Sequence, residues 1–323
     1  MCRNAARLAR QDPARRLCPV ATRKKRTSAK KSGSNRGTRS KHLHPRARIA
    51  GLAVAGIAAA VLGIAIVSHP GTEAVAEGVE LRARRAERIA TTVPATLELS
   101  IVARHPHDRG AFTQGLLWHD GRLFESTGLE GRSTLREVEL TTGRVLRHRD
   151  LPADLFGEGL ARVGDRLFQI TWQNGVAYEW DIERFERIAE HRYPGEGWGL
   201  CFDGESLVMS DGSDTLTFRD PNTFASHRTV RVTKLGRPAR HLNELECVEG
   251  SVFANVWQTD EILRIDPESG RVTGVLVASG LLPRNEAREA DVLNGIAYVP
   301  ETGRFLLTGK LWPTLFEVEI VER

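Results

Sequence analysis

The chain is poor in sulfur and in aromatic residues: four cysteines, two methionines and 6% Phe, Trp and Tyr among 323 residues. Four cysteines are too few to frame a disulfide-stapled fold of this length. There is no paired Cys-x-x-Cys, no His-Glu-x-x-His and no nucleophile elbow with Ser, His and Asp partners, so the usual hydrolytic machinery is missing. The His105-Pro106-His107-Asp108 loop lacks nearby Cys or carboxylate spacing and is weak as a metal site. Residues 1–48 contain no aromatic residue and almost no apolar periodicity, which excludes a buried core there and predicts a disordered tail.

That tail also distorts the overall charge. The chain is formally +5, yet residues 1–48 hold 16 Lys and Arg against Asp12 alone, leaving the remainder acidic with 30 basic and 40 acidic residues. A basic run such as Arg23-Lys24-Lys25-Arg26 can bind nucleic acid, but the uncharged stretch directly C-terminal to the tail favours a positive-inside topogenic role and no nucleic-acid partner. From Ile49 to Val67 no residue is charged, and 19 residues as a helix span about 28 Å, near the hydrocarbon thickness of a bilayer. Residues 49–67 are therefore read as a transmembrane anchor, with the N-terminus cytoplasmic and the acidic part periplasmic or otherwise extracytoplasmic. The competing reading is a cleaved signal peptide, with Ala74-Val75-Ala76 as a small-x-small cleavage site. Residues 68–98 read as a linker, and 99–323 as the folded domain.

The domain is repetitive. Asn243 to Asp266 reads as a meander of short strands, Leu245–Val248, Val252–Val256 and Glu261–Asp266, punctuated by Gly250 and Gln258-Thr259-Asp260. Copies begin at Gln114-Gly115-Leu116, Glu158-Gly159-Leu160, Trp198-Gly199-Leu200 and Asn294-Gly295-Ile296. The starts at 114, 158, 198, 243 and 294 are spaced by 44, 40, 45 and 51 residues. Four short strands with turns take about 40–50 residues, so the pattern predicts an all-β, five-bladed β-propeller, one blade per repeat. A first strand over Leu97–Arg104 and a last over Leu315–Val321 are expected to pair and close the ring. Cys201 and Cys247 stand three residues before Gly204 and Gly250, at matching positions of neighbouring repeats. They are read first as buried free thiols, which pack as small hydrophobes, with an inter-blade disulfide as the alternative if their Cα atoms lie within about 7 Å.

In a propeller the first strand of each blade lines the central channel. Gln114, Glu158, Trp198, Asn243 and Asn294 then form a ring at one mouth, and the turns after the second strands add Trp172, Gly212, Trp257 and Lys310, with Glu125 three places early. Indoles gathered at a mouth suit an apolar slot for a small substrate group; the alternative is that they fill blade interfaces. Glu125 beside them would be a proton-transfer group with a raised pKa, or else a surface carboxylate.

Several segments carry a specific resemblance: Phe112-Thr113-Gln114-Gly115-Leu116, Glu125-Ser126-Thr127-Gly128-Leu129, Thr171-Trp172-Gln173, Gly197-Trp198-Gly199-Leu200, Asn243-Glu244-Leu245-Glu246, Asn255-Val256-Trp257-Gln258-Thr259-Asp260, Leu293-Asn294-Gly295-Ile296-Ala297 and Thr308-Gly309-Lys310-Leu311-Trp312-Pro313. Over about residues 100–321 the chain resembles the plant and bacterial type of glutaminyl-peptide cyclotransferase. The resemblance implies a five-bladed propeller that turns an N-terminal glutamine into pyroglutamate and releases ammonia. It implies Glu125 as acid/base residue, with Lys310, Asn243 and Gln114 as catalytic partners and Phe112, Trp172, Trp198 and Trp257 around the substrate. No cofactor or metal is expected to be required, although a structural calcium is compatible. The partner is a peptide or protein with N-terminal glutamine, and a monomer suffices because a propeller needs no partner for stability. The alternatives are a calcium-dependent propeller lactonase or esterase, using Gln114, Glu158, Asn243 and Asn294 as oxygen ligands, and a propeller that only binds peptides.

Overall fold

The computed structural model describes residues 93–323. The basic tail, the apolar run 49–67, most of the linker, Cys2 and Cys18 lie outside the described residues. The remainder is a succession of strands. β1 (Ala95–Pro106) is followed by a first meander of β2 (Thr113–His119), β3 (Arg122–Thr127), β4 (Thr134–Glu139) and β5 (Arg144–Asp150). A second runs β6 (Gly157–Val163), β7 (Arg166–Thr171), β8 (Val176–Asp181) and β9 (Arg187–Arg192). A third comprises β10 (Leu200–Phe202), β11 (Leu207–Ser210), β12 (Thr215–Arg219) and β13 (Ser226–Arg231). A short hairpin, β14 (Thr233–Lys234) and β15 (Arg237–Pro238), leads to β16 (Leu242–Val248), β17 (Ser251–Val256), β18 (Glu261–Ile265) and β19 (Val272–Val277). β20 (Leu293–Val299), β21 (Arg304–Gly309) and β22 (Thr314–Glu322) end the chain.

Each of the first three meanders is a four-stranded antiparallel sheet, and the rest forms one eight-stranded sheet in the order β16-β17-β18-β19-β1-β22-β21-β20. Its middle explains its size. β1 pairs antiparallel with β22 from Leu97–Glu322 to Pro106–Thr314, as expected for terminal strands that close a ring. It also pairs in parallel with β19 through Ala95–Gly274, Thr96–Val275 and Leu97–Leu276, which joins two meanders edge to edge. The shared edges leave fewer unpaired N–H and C=O groups exposed.

The first strand of each meander lies against the first strand of the next, β2 against β6, β6 against β10, β10 against β16, β16 against β20 and β20 against β2. Repeat glycines permit this approach: a Cβ on Gly115 would meet Leu160 N at 2.5 Å, and one on Gly159 would meet Leu200 N at 2.4 Å. Hydrophobic cores fill the spaces between neighbouring sheets. Phe124 and Leu135 meet Leu160 and Leu167; Phe168 and Ile170 meet Leu207 and Met209; Val208 and Phe218 meet Leu245 and Leu263. Ile262 and Leu276 meet Ile296 and Phe316, and Leu116 and Val138 meet Ala297 and Leu306. Each fully buried Leu or Phe contributes about 1.5–3 kcal/mol. The architecture is an all-β, propeller-like ring.

One expectation is corrected here. Cys201 and Cys247 are not free thiols: their Cα atoms are 5.5 Å apart and they form a disulfide. Equivalent positions on adjacent innermost strands face each other across a sheet boundary, so matching sequence positions become matching spatial ones.

Candidate active site

The aromatic residues singled out along the sequence come together. Phe112, Phe156, Trp172, Trp198 and Trp257 share one buried cluster with Leu129. Trp198 and Trp257 meet edge to face at 5.6 Å, Phe156 lies 6.2 Å from Trp172, and Phe112 lies 6.0 Å from Phe156. The indoles reach one place because Trp172 and Trp257 directly follow the second strands β7 and β17, while Trp198 precedes the first strand β10. Trp180 and Trp312, by contrast, belong to the cores between sheets. Glycine makes room for the cluster at two positions. A Cβ on Gly212, at φ +77°, would meet the Trp198 ring at 2.6 Å, and one on Gly128 would meet the Phe156 ring at 2.3 Å.

Polar groups adjoin this wall. Lys310 follows β21, is 2% exposed, and holds its Nζ 4.9 Å from the Phe112 ring centre, a cation–π distance. Gln114 Nε2 donates to Glu158 Oε1 at 3.1 Å, and Asn294 Nδ2 donates to Gln114 Oε1 at 3.2 Å. Three of the predicted mouth residues are thus linked by hydrogen bonds across three meanders. Ser126 Oγ pins the carbonyl of Glu158 from β3. Asn243 is buried and its Oδ1 has no partner among the described residues.

Glu125 is buried rather than a surface carboxylate, and its polar partners are His107, Thr113 and Arg136. The residue of the first meander equivalent to Trp172 and Lys310 is Gly128, directly after β3; Glu125 lies three residues earlier, about 10 Å along a strand. Side chains alternate, so where Ser126 faces β6, Glu125 faces the other way. Its Oε1 accepts from His107 Nε2 at 3.0 Å and Thr113 Oγ1 at 2.7 Å, and its Oε2 lies 3.7 Å from Arg136 Nη1. Burial tends to raise the carboxyl pKa, but charge and hydrogen bonding from His107, with help from Arg136, outweigh it and leave the pKa below its usual value. The same pairing raises His107, against burial. His107 Nδ1 also binds the Trp312 carbonyl at 2.8 Å, fastening the loop before β2 to the turn that carries Lys310.

Four residues escape recognition in the sequence: His107, Arg136, Phe156 and Glu196, whose Oε2 accepts from Nε1 of both Trp172 and Trp198. For Phe156 a signal exists, since Phe156-Gly157-Glu158-Gly159 repeats Phe112-Thr113-Gln114-Gly115. His107 and Arg136 have no repeat counterpart. Among the described residues no group of three or more His, Cys, Asp and Glu is placed to hold a metal ion.

The fourth repeat departs from the rest. Glu244 occupies the place of the repeat glycine, and its carboxyl reaches across the channel to accept from Leu116 N at 3.2 Å and Ile296 N at 2.8 Å. Burial raises its pKa well above the usual 4.5.

A buried cluster of indoles next to a carboxyl, side-chain amides and an ammonium, in a propeller-like ring, is a composition suited to an enzyme site for a small polar group. The chain belongs to the glutamine cyclotransferase family, whose profile matches residues 74–320. Glutaminyl-peptide cyclotransferase of Arabidopsis thaliana is 42% identical over 228 residues, covering 69% of this chain and 71% of the relative. The crystal structure of Myxococcus xanthus glutaminyl cyclase matches with a TM-score of 0.67 and 43% identity, covering 71% of this chain and 99% of that one.

Proposed function

We propose that the protein converts the N-terminal glutamine of peptides and proteins to pyroglutamate with release of ammonia, on a five-bladed propeller. Five blades follow if the eight-stranded sheet is counted as two meanders sharing an edge, with β1 completing the last. The cyclic contacts of the first strands support that count.

The nucleophile is the substrate's own α-amine, tethered to its γ-carboxamide, so orientation rather than assembly is the main requirement. A slot walled by Phe112, Phe156, Trp172, Trp198 and Trp257 disfavours the ammonium form and leaves the amine nucleophilic. The amine nitrogen bonds to the γ-carbon, and negative charge grows on the carbonyl oxygen. Lys310 and the amide of Asn243 or Gln114 stabilise that charge. The bond from the γ-carbon to its amide nitrogen then breaks, and the nitrogen leaves with a proton as ammonia.

We assign the proton transfer to Glu158 instead of Glu125. The observation that carries this is the placement of Glu158: two residues after Phe156 of the aromatic wall, and hydrogen-bonded to Gln114. Glu125 is engaged by His107, Thr113 and Arg136 and is held ionised. Replacement of Glu158 by Gln is expected to lower kcat for a glutamine-initiated peptide about 10²-fold or more. Glu125→Gln is expected to keep kcat within a few-fold while lowering Tm. The reverse pattern in an ammonia-release assay would return the role to Glu125.

The disulfide supports an extracytoplasmic domain, since such bonds persist in oxidising compartments. With the apolar run 49–67 this fits a membrane-anchored enzyme working as a monomer in the periplasm. Activity is expected to survive chelation, with any calcium serving structure only.

A further inference from the structure

We propose that Glu196 is a positioning residue of the substrate slot, whose carboxylate fastens the indoles of Trp172 and Trp198 into a single wall. The inference rests on the cyclotransferase reading and adds a residue to it. Trp172 Nε1 donates to Glu196 Oε2 at 2.9 Å, and Trp198 Nε1 donates to the same oxygen at 3.0 Å. Gln173 Nε2 donates to the other oxygen at 3.0 Å. Glu196 is itself only half-buried, while both indoles are more than nine-tenths buried.

The geometry has a physical consequence. An indole has one polar hydrogen, on one edge, and no acceptor. When two indoles from different meanders aim that hydrogen at one oxygen atom, both ring orientations are set by a common point. Neither N–H remains to bind a ligand, so what the pair presents to the slot is apolar ring surface. The backbone reinforces the junction: Gly197 N donates to the Trp172 carbonyl at 2.9 Å, directly beside Glu196. On its other side the Trp198 ring rests over Gly212 and meets Trp257 edge to face. Trp198 is thus fixed by packing and at its polar edge by Glu196. Trp172 meets Phe156 at its apolar side and has the same carboxylate at its polar one. Without that carboxylate, both indole N–H groups need another partner, and swinging toward water or the slot supplies one.

The test is a comparison of Glu196→Ala, Glu196→Gln and wild type on a glutamine-initiated peptide. A single amide oxygen can accept both indole hydrogens, so the Gln variant preserves the clamp without the charge. For Glu196→Ala, KM is expected to rise about ten-fold or more with kcat within about three-fold, the pattern of lost uniform binding. The near-UV circular dichroism of the indoles should change with it. Glu196→Gln should return KM and the indole signal most of the way to wild type. Unchanged KM in the Ala variant, whatever its Tm, overturns the proposal and leaves Glu196 as a structural tie. Equal KM increases in Ala and Gln overturn it too, since charge alone would then be at work. Wild-type protein that releases no ammonia from such peptides sinks the cyclotransferase reading instead, and the dichroism comparison then decides the clamp alone.

Discussion

At the scale of single residues, Glu125 departs from its expected surroundings while Glu158 stands in the expected mouth ring. Both precede small residues in short strands, and their difference comes from strand alternation. Glu125 shares a buried ion pair with His107, and the two titrations act in opposite directions. The pKa of Glu125 lies below its usual 4.5, so its stabilisation is present above about pH 4.5 and is lost as pH falls through the lowered folded value. His107 lies above its usual 6.5, so its stabilisation is present below about pH 6.5 and is lost as pH rises through the raised folded value. The pair is at full strength between those limits. His107→Gln removes the cation and leaves a buried carboxylate with Thr113 and Arg136, a loss of about 3 kcal/mol. Thermal melts should show the largest difference from wild type near pH 5–6 and a smaller one at pH 9. A pH-independent difference would mean that His107 is neutral in the native protein. The loop bearing His107 reads in the sequence as an ordinary turn with weak metal potential because its partner stands 18 residues on, at no repeating offset.

At the scale of elements, the meanders were legible because a Gly sits at most repeat starts and hairpin turns. The hairpin glycine Gly250 adopts φ +75°, and its counterparts Gly121, Gly164 and Gly303 do likewise. The observed β16, β17 and β18 match the strands expected from Asn243 to Asp266 to within three residues at each end. What the repeat could not reveal is where it is broken for a reason. Glu244 stands in the glycine place and caps two backbone N–H groups of other strands, a contact set by ring closure and invisible in local pattern. Glu244→Gln offers one acceptor oxygen to two donors, so one buried N–H loses its partner, at a cost of about 1–3 kcal/mol. Glu244→Gly, which copies the other repeats, orphans both and should cost more. The raised pKa adds a sign. Ionisation of Glu244 costs the wild type stability as pH rises above about 4.5, a cost that Gln does not carry, so the gap between the two should narrow toward alkaline pH. Denaturant melts at pH 5 and pH 8 measure both points. A Gly variant as stable as wild type would show that Glu244 is dispensable to the channel.

At the scale of the whole molecule, stability depends on how a ring made from one chain is shut. The Cys201–Cys247 disulfide ties β10 to β16 across 46 residues. Loop-closure entropy sets its contribution at about 4 kcal/mol, an upper figure, and reduction or Cys201→Ser with Cys247→Ser should lower Tm without moving KM. β1 is the larger clasp. It pairs along most of its length with β22 and at its start with β19, and it places Leu97 in the core between them. Removing it uncovers two strand edges and opens that core, whereas cutting the disulfide leaves every sheet paired. A chain beginning at residue 93 is therefore expected to melt cooperatively and to release ammonia from a glutamine-initiated peptide. A chain beginning at residue 107, which keeps His107 and every residue of the slot, is expected to lose cooperative melting and to aggregate through the exposed edges. If the shorter chain melted as sharply as the longer, within a few degrees, closure by the terminal strands would not be what holds the ring. The slot would then owe its geometry to the contacts between innermost strands alone.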